Sequence, residues 1–236
     1  MDPLLEKDNV ISYLLHLQEQ ECKRIGLEFH EGVAQNLYSV YTGLQFIEQG
    51  LQNDALKNFM NEMIRSMETG IGDIRRLSTE LYPITLSTLG LVPAIKQFAV
   101  YYTSTFGIVI NVKETGNRYM LEEAVNLAVY RVCQEAFTNA AKYADVEEMD
   151  ILISSEKEKL QVVIRDNGRG FLKEKVIAEN KAPGLLAMKE RIRLVGGDCR
   201  ISSEINKGTQ VTVTVPAYFI NHHKRRDCVD KDSAGR

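Results

Sequence analysis

The stretch LEEAVNLAVYRVCQEAFTNAAKYA, residues 121–144, reads as one long helix set between strands. Glu122 and Glu123 lie at its N-terminal end, where the helix dipole favours acid. Glu135, Asn139 and Lys142 recur at i, i+4 and i+7, so an α-helix places a carboxylate, a carboxamide and an ammonium on one stripe. Oxygen ligands and a point charge in that array can hold a magnesium ion and the phosphates it bridges. A solvent-facing polar stripe has the same composition, and this helix alone does not choose between the two.

Working outward, TLGLVPAIKQFAVYYTSTFG (88–107) reads as a helix ending at Gly107, and IVINVKE (108–114) as a strand rich in β-branched residues. After the long helix, EMDILISSE (148–156) and LQVVIRDNG (160–168) alternate in polarity and pair as a hairpin. A helix over about 184–195 follows, then two closing strands, DCRISSE (198–204) and GTQVTVTVP (208–216). Helices and mostly antiparallel strands in this order predict an α+β fold, a two-layer α/β sandwich over residues 85–216. The tail 217–236 has no periodicity and is expected to be mobile, its HHKRR cluster solvated.

Upstream, no proline interrupts residues 9–51, and Val33, Leu37, Val40, Leu44, Ile47 and Leu51 form a heptad seam. Gly50 and QND (52–54) break it. Leu56, Met60, Met63, Met67, Ile71, Ile74, Leu77 and Leu81 form a second seam that ends at Pro83. Residues 9–82 are therefore a helical hairpin, and its thin core predicts pairing with a second copy into a dimeric four-helix bundle.

Composition narrows the function classes. With 44% hydrophobic and 26% charged residues the chain is neither disordered nor fibrous, and its net charge of -3 gives no general attraction to nucleic acid or an anionic membrane. No run approaches the ~20 apolar residues of a membrane span, and MDPLLEKDNV lacks a signal-peptide layout. Cys22, Cys133, Cys199 and Cys228 show no CxxC and no metal-spaced histidine, so free thiols in a reducing compartment are expected. The expected location is the cytoplasm, either as a free chain or as the cytoplasmic portion of a membrane sensor, without membrane contact from the chain itself.

Three further features carry chemistry. DNGRGF (166–171) leaves a strand and turns sharply, with Gly168 and Gly170 available for positive φ or close ligand approach; alone it fits a plain turn equally well. Gly184 opens the helix GLLAMKERIRLVGG, where main-chain amides can meet an anion. KGT (207–209) opens the last strand. The ordinary GxxxxGK[ST] phosphate loop is absent.

YRVCQEAFTNAAKYA, IRDNGRGF, GLLAMKERIRLVGG and KGTQVTVTVP resemble, in order and spacing, the ATP-binding (Bergerat-fold) domain of the GHKL superfamily, which includes sensor histidine kinases, DNA gyrase, mismatch-repair ATPases and anti-sigma-factor kinases. The resemblance implies that Asn139 coordinates Mg2+, Glu135 supports the metal or its water, and Lys142 contacts phosphate. It implies too that Asp166 accepts a hydrogen bond from the adenine amino group and that Thr209 backs this contact. Tyr143, Gly168, Gly170 and Gly184 complete the ATP-binding set. Tyr143 departs from the histidine often found there, and Ala182 and Ala187 stand where the nucleotide lid, about 171–184 and its flank, often has glycine.

In the hairpin, RIGLEFHEGVAQNL (24–37) resembles the phosphoacceptor box of the histidine kinase subfamily whose regulators are usually of the LuxR type: Arg24 and Ile25, then His30, Glu31 and Gln35. LYPITLSTLGL (81–91) resembles that subfamily's connector. The resemblance makes His30 the phosphoacceptor, Glu31 the proton acceptor that fixes its tautomer, and Gln35, four residues on from Glu31, the group that positions water to dephosphorylate a regulator. Periodicity is silent on His30: the seam traced back from Val33 reaches His30 in three steps and Phe29 in four. The expected protein is a homodimeric sensor histidine kinase that uses ATP and Mg2+ to phosphorylate His30 and passes the phosphoryl group to a response regulator receiver domain. The alternatives are a GHKL protein-serine kinase acting as an anti-sigma factor, and a degenerate dimeric scaffold.

Overall fold

A computed structural model describes residues 3–117, 119–156, 158–173, 176 and 183–219. The chain divides into two compact units, Met1–Thr88 and Leu89–Arg236.

In the first unit, α1 (Pro3–Leu27) runs through a π-helical turn, Glu28–Val33, into α2 (Ala34–Gly50). Helix α3 (Asp54–Leu81) returns antiparallel, capped by Asn53, whose side chain accepts the Leu56 main-chain N–H at 3.1 Å. A short helix α4 (Ile84–Leu89) occupies the connector. Helices α1 and α2 both pack against α3.

The seams differ from the apolar pattern. On α2 the protected line is Ala34, Leu37, Tyr41, Leu44, Glu48 and Leu51, while Val40 and Ile47 stay 50% and 51% exposed. The two polar members are tethered to α3 or its start: Tyr41 donates its hydroxyl to Glu68 at 2.6 Å, and Lys57 pairs with Glu48 at 3.4 Å. On α3, Ile64 and Ser78 turn inward where apolar counting placed the now exposed Met63 and Leu77. Ser78 is buried and donates its hydroxyl to the Gly26 carbonyl at 2.7 Å. The helices cross closely there, and a side chain on Gly26 would meet the Tyr82 Cβ at 2.8 Å.

The second unit begins with α5 (Leu91–Phe106), ended by Gly107 in the left-handed conformation. Strand β1 (Val109–Gly116), a two-residue β2 (Tyr119–Met120) and α6 (Glu123–Asn139) follow, α6 being prolonged by a second π turn, Ala140–Ala144. Then come β3 (Glu148–Glu156), β4 (Lys159–Asp166), α7 (Pro183–Leu194), β5 (Asp198–Glu204), β6 (Gly208–Pro216) and β7 (Tyr218–Phe219).

The main sheet has the order β1-β3-β4-β6-β5; β1 and β3 are parallel, joined through α6, and the other pairs are antiparallel. Strict alternation buries Met149, Ile151 and Ile153 of β3, Leu160, Val162 and Ile164 of β4, and Val211, Val213 and Val215 of β6 under α5, α6 and α7. This is the expected two-layer sandwich with a mixed sheet. Phe98 of α5 stacks on Phe137 of α6 with centroids 5.7 Å apart and holds those two helices together.

The tail begins later than its lack of periodicity suggests. Ala217 is buried, and β7 pairs antiparallel with β2, so the fold runs through Phe219. His222, His223 and Cys228 lie outside the described residues. Among the described residues no helix is long and apolar enough to cross a membrane.

Candidate nucleotide and phosphoacceptor sites

Strand pairing places Asp166, the last residue of β4, opposite Thr209 of β6. Asp166 is only 8% exposed, and its Oδ1 accepts the main-chain N–H of Gly168 at 2.9 Å and of Thr209 at 3.2 Å. Two amides on one oxygen hold the carboxylate as an acceptor and leave Oδ2 able to take a further donor. Thr209 thus supports Asp166 through its backbone; its hydroxyl pairs with Ser203 at 3.1 Å. Ser203 also receives the Phe171 N–H at 2.9 Å, which ties the end of the DNGRGF loop to β5.

Glycine is required where this loop is tightest. A Cβ on Gly208, at φ 85°, would fall 2.1 Å from the Asp166 carbonyl, and one on Gly168 would fall 2.4 Å from the Ala144 carbonyl. Gly170, at φ 57°, is likewise closed against the Glu204 carbonyl. The Arg169 N–H donates to the Ala144 carbonyl at 2.9 Å, and its guanidinium pairs with Asp145. The loop that carries Asp166 is therefore fastened to the end of the α6 π turn.

On α6, Glu135 and Asn139 are half-buried neighbours, the Asn139 amide donating to Glu135 Oε1 at 3.2 Å. That bond leaves the Asn139 carbonyl oxygen facing away from Glu135 as a metal donor. Gly184, in the first turn of α7, lies against Glu135: a Cβ there would be 1.8 Å from Oε1. Glu135 and Asn139 are joined by their hydrogen bond, and Lys142 lies beyond them on the π turn, where the rotation per residue differs from that of an α-helix. Lys142 and Tyr143 are exposed on that turn. Ala187 lies in α7, and Ala182 is outside the described residues. Among the described residues no three His, Cys, Asp or Glu converge as a metal cluster, so a magnesium ion at Asn139 and Glu135 would draw its other ligands from phosphate and water.

In the first unit, His30 and Glu31 are exposed on the π turn, Phe29 is half-buried beside them, and Gln35 is exposed on α2. The turn intervenes between Glu31 and Gln35, so their four-residue spacing is not that of α-helical neighbours. Among the described residues no hydrogen bond joins His30 to Glu31 or Gln35. Burial pushes the Cys133 thiol up to about 12 and the Cys199 thiol up to about 11, which keeps both protonated near neutral pH. Ser203 and Gly208 are site residues that the sequence motifs did not single out. Gly208 stands inside KGT, whereas Ser203 is visible only through the β5–β6 register.

Residues 124–218 match the model of the histidine kinase-, DNA gyrase B- and HSP90-like ATPase family. Over 199 residues the chain is 34% identical to the oxygen sensor histidine kinase NreB of Staphylococcus carnosus, a match that takes in 84% of this chain and 57% of that protein. The chain is homologous to sensor histidine kinases. It is also 29% identical over 206 residues to the signal transduction histidine-protein kinase/phosphatase DegS of Brevibacillus brevis, covering 86% of this chain and 53% of the relative. The chain thus spans a little over half the length of these histidine kinases. Among solved structures it resembles the histidine kinase domain of a blue-light activated histidine kinase from Erythrobacter litoralis, with a TM-score of 0.48 and 17% identity over 77% of this chain and 94% of that one.

Proposed function

We propose that this chain is a protein-histidine kinase of a two-component system: a homodimer that autophosphorylates His30 from Mg-ATP and passes the phosphoryl group to an aspartate of a response regulator receiver domain. The observation that carries the reading is a buried carboxylate, Asp166, held by two amides in a glycine-closed loop, on the same chain as an exposed imidazole beside an acid.

When bound, ATP supplies the γ-phosphoryl group and magnesium neutralises its charge. Asp166 Oδ2 suits the adenine amino group, the Asn139 carbonyl oxygen and Glu135 suit the metal and its water, and exposed Lys142 suits a phosphate. The neutral His30 ring attacks phosphorus, the bond to the β,γ-bridging oxygen breaks, and ADP leaves. The proton on the other ring nitrogen passes to Glu31 or to water. His30 and Glu31 are consecutive residues of the π turn and point in different directions, so Glu31 approaches the ring from its edge. Gln35 is the group suited to orient water for regulator dephosphorylation.

The hairpin's packing supports dimerisation. It turns the half-buried Tyr41 and Glu48 toward α3 and exposes Val40, Ile47, Phe46 and Phe59, which a second copy would cover in a four-helix bundle. The reading places the chain in the cytoplasm, with ATP and the receiver domain.

The test is incubation of the chain and of His30→Gln with radiolabelled Mg-ATP, followed by acid and base treatment. Acid-labile, base-stable label that the variant lacks is expected. Acid-stable label would establish a serine kinase instead, and no nucleotide binding at all would establish a scaffold.

A further inference from the structure

Asn167 and Gly168 are the one asparagine–glycine pair in the sequence. That pair is reactive by itself. The main-chain nitrogen of the glycine can attack the side-chain carbonyl of the asparagine, because no Cβ hinders the approach. A bond forms from that nitrogen to Cγ, the bond from Cγ to Nδ2 breaks, and ammonia leaves, carrying the proton lost by the main-chain nitrogen. Water then opens the cyclic imide on one side or the other, to aspartate or isoaspartate. The attack makes two demands on the glycine: its N–H must give up the proton, and its nitrogen must move onto Cγ.

The loop denies both. Asn167 is exposed, but Gly168 is buried and its N–H donates to Asp166 Oδ1 at 2.9 Å. A carboxylate at that distance opposes the negative charge the nitrogen must take on. Gly168 also has no room to shift: a Cβ there would fall 2.7 Å from the Ala144 Cβ and 2.8 Å from Val146 Cγ1. Arg169 is pinned on both sides, donating its N–H to the Ala144 carbonyl at 2.9 Å and accepting the Asn206 N–H on its own carbonyl at 2.7 Å. Before the pair, Asp166 is fixed opposite Thr209 by strand register.

We propose that Asn167–Gly168 is a self-modification site that Asp166 holds shut. Reaction proceeds only from the small population in which the loop has opened, so its rate is the open-loop rate multiplied by the fraction open. Each event is irreversible and disables the loop. It adds a carboxylate beside Asp166 and, in the isoaspartate form, an extra carbon in the main chain that lifts the Gly168 amide off Oδ1. The guard stands whether or not the site takes a nucleotide. On the nucleotide reading it acquires a second layer: Mg-ATP on the closed loop lowers the open fraction by the factor 1 + [ATP]/Kd, about a hundredfold at roughly a hundred times Kd. An idle site then ages and an occupied one is preserved.

The test ages the whole chain at mildly alkaline pH and follows the Asn167 peptide by mass spectrometry for conversion of amide to acid. The unaltered chain should react at least about tenfold more slowly folded than in urea. Asp166→Ala, checked for folding by circular dichroism, should react about 10- to 100-fold faster than the unaltered chain, the weight of one hydrogen bond to a charged group. Asp166→Asn, whose carboxamide oxygen still accepts but carries no charge, should fall between the two, and it decides the matter alone where the alanine variant unfolds. Asn167→Gln should show no conversion, which locates the reaction. The converted fraction of the unaltered chain, separated by ion exchange, should bind ATP more weakly than the unconverted. Equal rates folded and in urea, or folded Asp166 variants that react no faster than the unaltered chain, would overturn the guard. Failure of Mg-ATP to slow the unaltered chain, with both of those differences present, would keep the guard and count against nucleotide binding at Asp166.

Discussion

The hydroxyl of Ser78 donates to the main-chain carbonyl of Gly26 at 2.7 Å, joining residues 52 apart where α1 and α3 cross closely. Gly26 lies one helical turn ahead of His30 and two residues before the π turn Glu28–Val33. Gly26→Ala forces a Cβ against the Tyr82 Cβ at 2.8 Å and its main-chain nitrogen at 3.1 Å, and thermal unfolding should show a loss of about 1–3 kcal/mol. Ser78→Ala should cost about 1 kcal/mol through one lost hydrogen bond.

At the other unit, Asp166→Asn separates folding from nucleotide recognition. The carboxamide oxygen can still accept from Gly168 and Thr209, but the second position becomes an NH2 that meets the adenine amino group donor to donor. Unfolding should change little while ATP affinity, measured by calorimetry, falls by roughly 10- to 100-fold, the value of a hydrogen bond to a charged group.

Gly184→Ala drives a Cβ into Glu135 Oε1, 1.8 Å away, and the carboxylate must swing off Asn139. The protein should stay folded, because the displaced group is the end of a flexible side chain, while magnesium-dependent nucleotide binding weakens. Titration of ATP with and without magnesium separates the two contributions, and nucleotide binding without metal should be the less affected.

The thiols predict an alkaline limit. Burial raises Cys133 to about 12 and Cys199 to about 11, above the ordinary thiol value reached on unfolding, so both are bound to protons in the fold when the unfolded chain has lost them. Their contribution is complete below about pH 8.5 and is lost as pH rises toward the folded values. The Tyr119 phenol, also raised by burial, acts in the same direction. Urea midpoints should fall steadily above about pH 9, and Cys133→Ala should flatten the slope.

Strands β3, β5 and β6 were legible to the residue because each alternates on a half-buried sheet, and the apolar face reports the core directly. The hairpin seams were legible only in period. Ser78 and Ala34 hold inward positions because they are small, and Tyr41 and Glu48 because they are tethered, and none of these causes registers in a count of large apolar side chains. The two π turns were invisible for a related reason: an inserted residue alters phase without altering composition. Both turns fall inside spacings counted as α-helical, Asn139 to Lys142 and Glu31 to Gln35, and the turn Glu28–Val33 lies just where tracing back from Val33 could not choose between Phe29 and His30. Glu135, Asn139, Asp166 and the glycines were legible as motifs, while the Thr209 amide that holds Asp166 came from strand register, which motifs do not contain.

That register has a consequence for the choice of base. The Asp166 carboxylate accepts two main-chain amides on Oδ1, one from Gly168 in its own loop and one from Thr209, which the pairing of β4 with β6 sets opposite it. A guanine would turn the oxygen at its six position toward this carboxylate, acceptor facing acceptor with no proton to share. On the proposed reading, a preference for ATP over GTP would rest in part on the alignment of two strands, because a slip of one residue between them would take the Thr209 amide away from Asp166 without changing a single side chain.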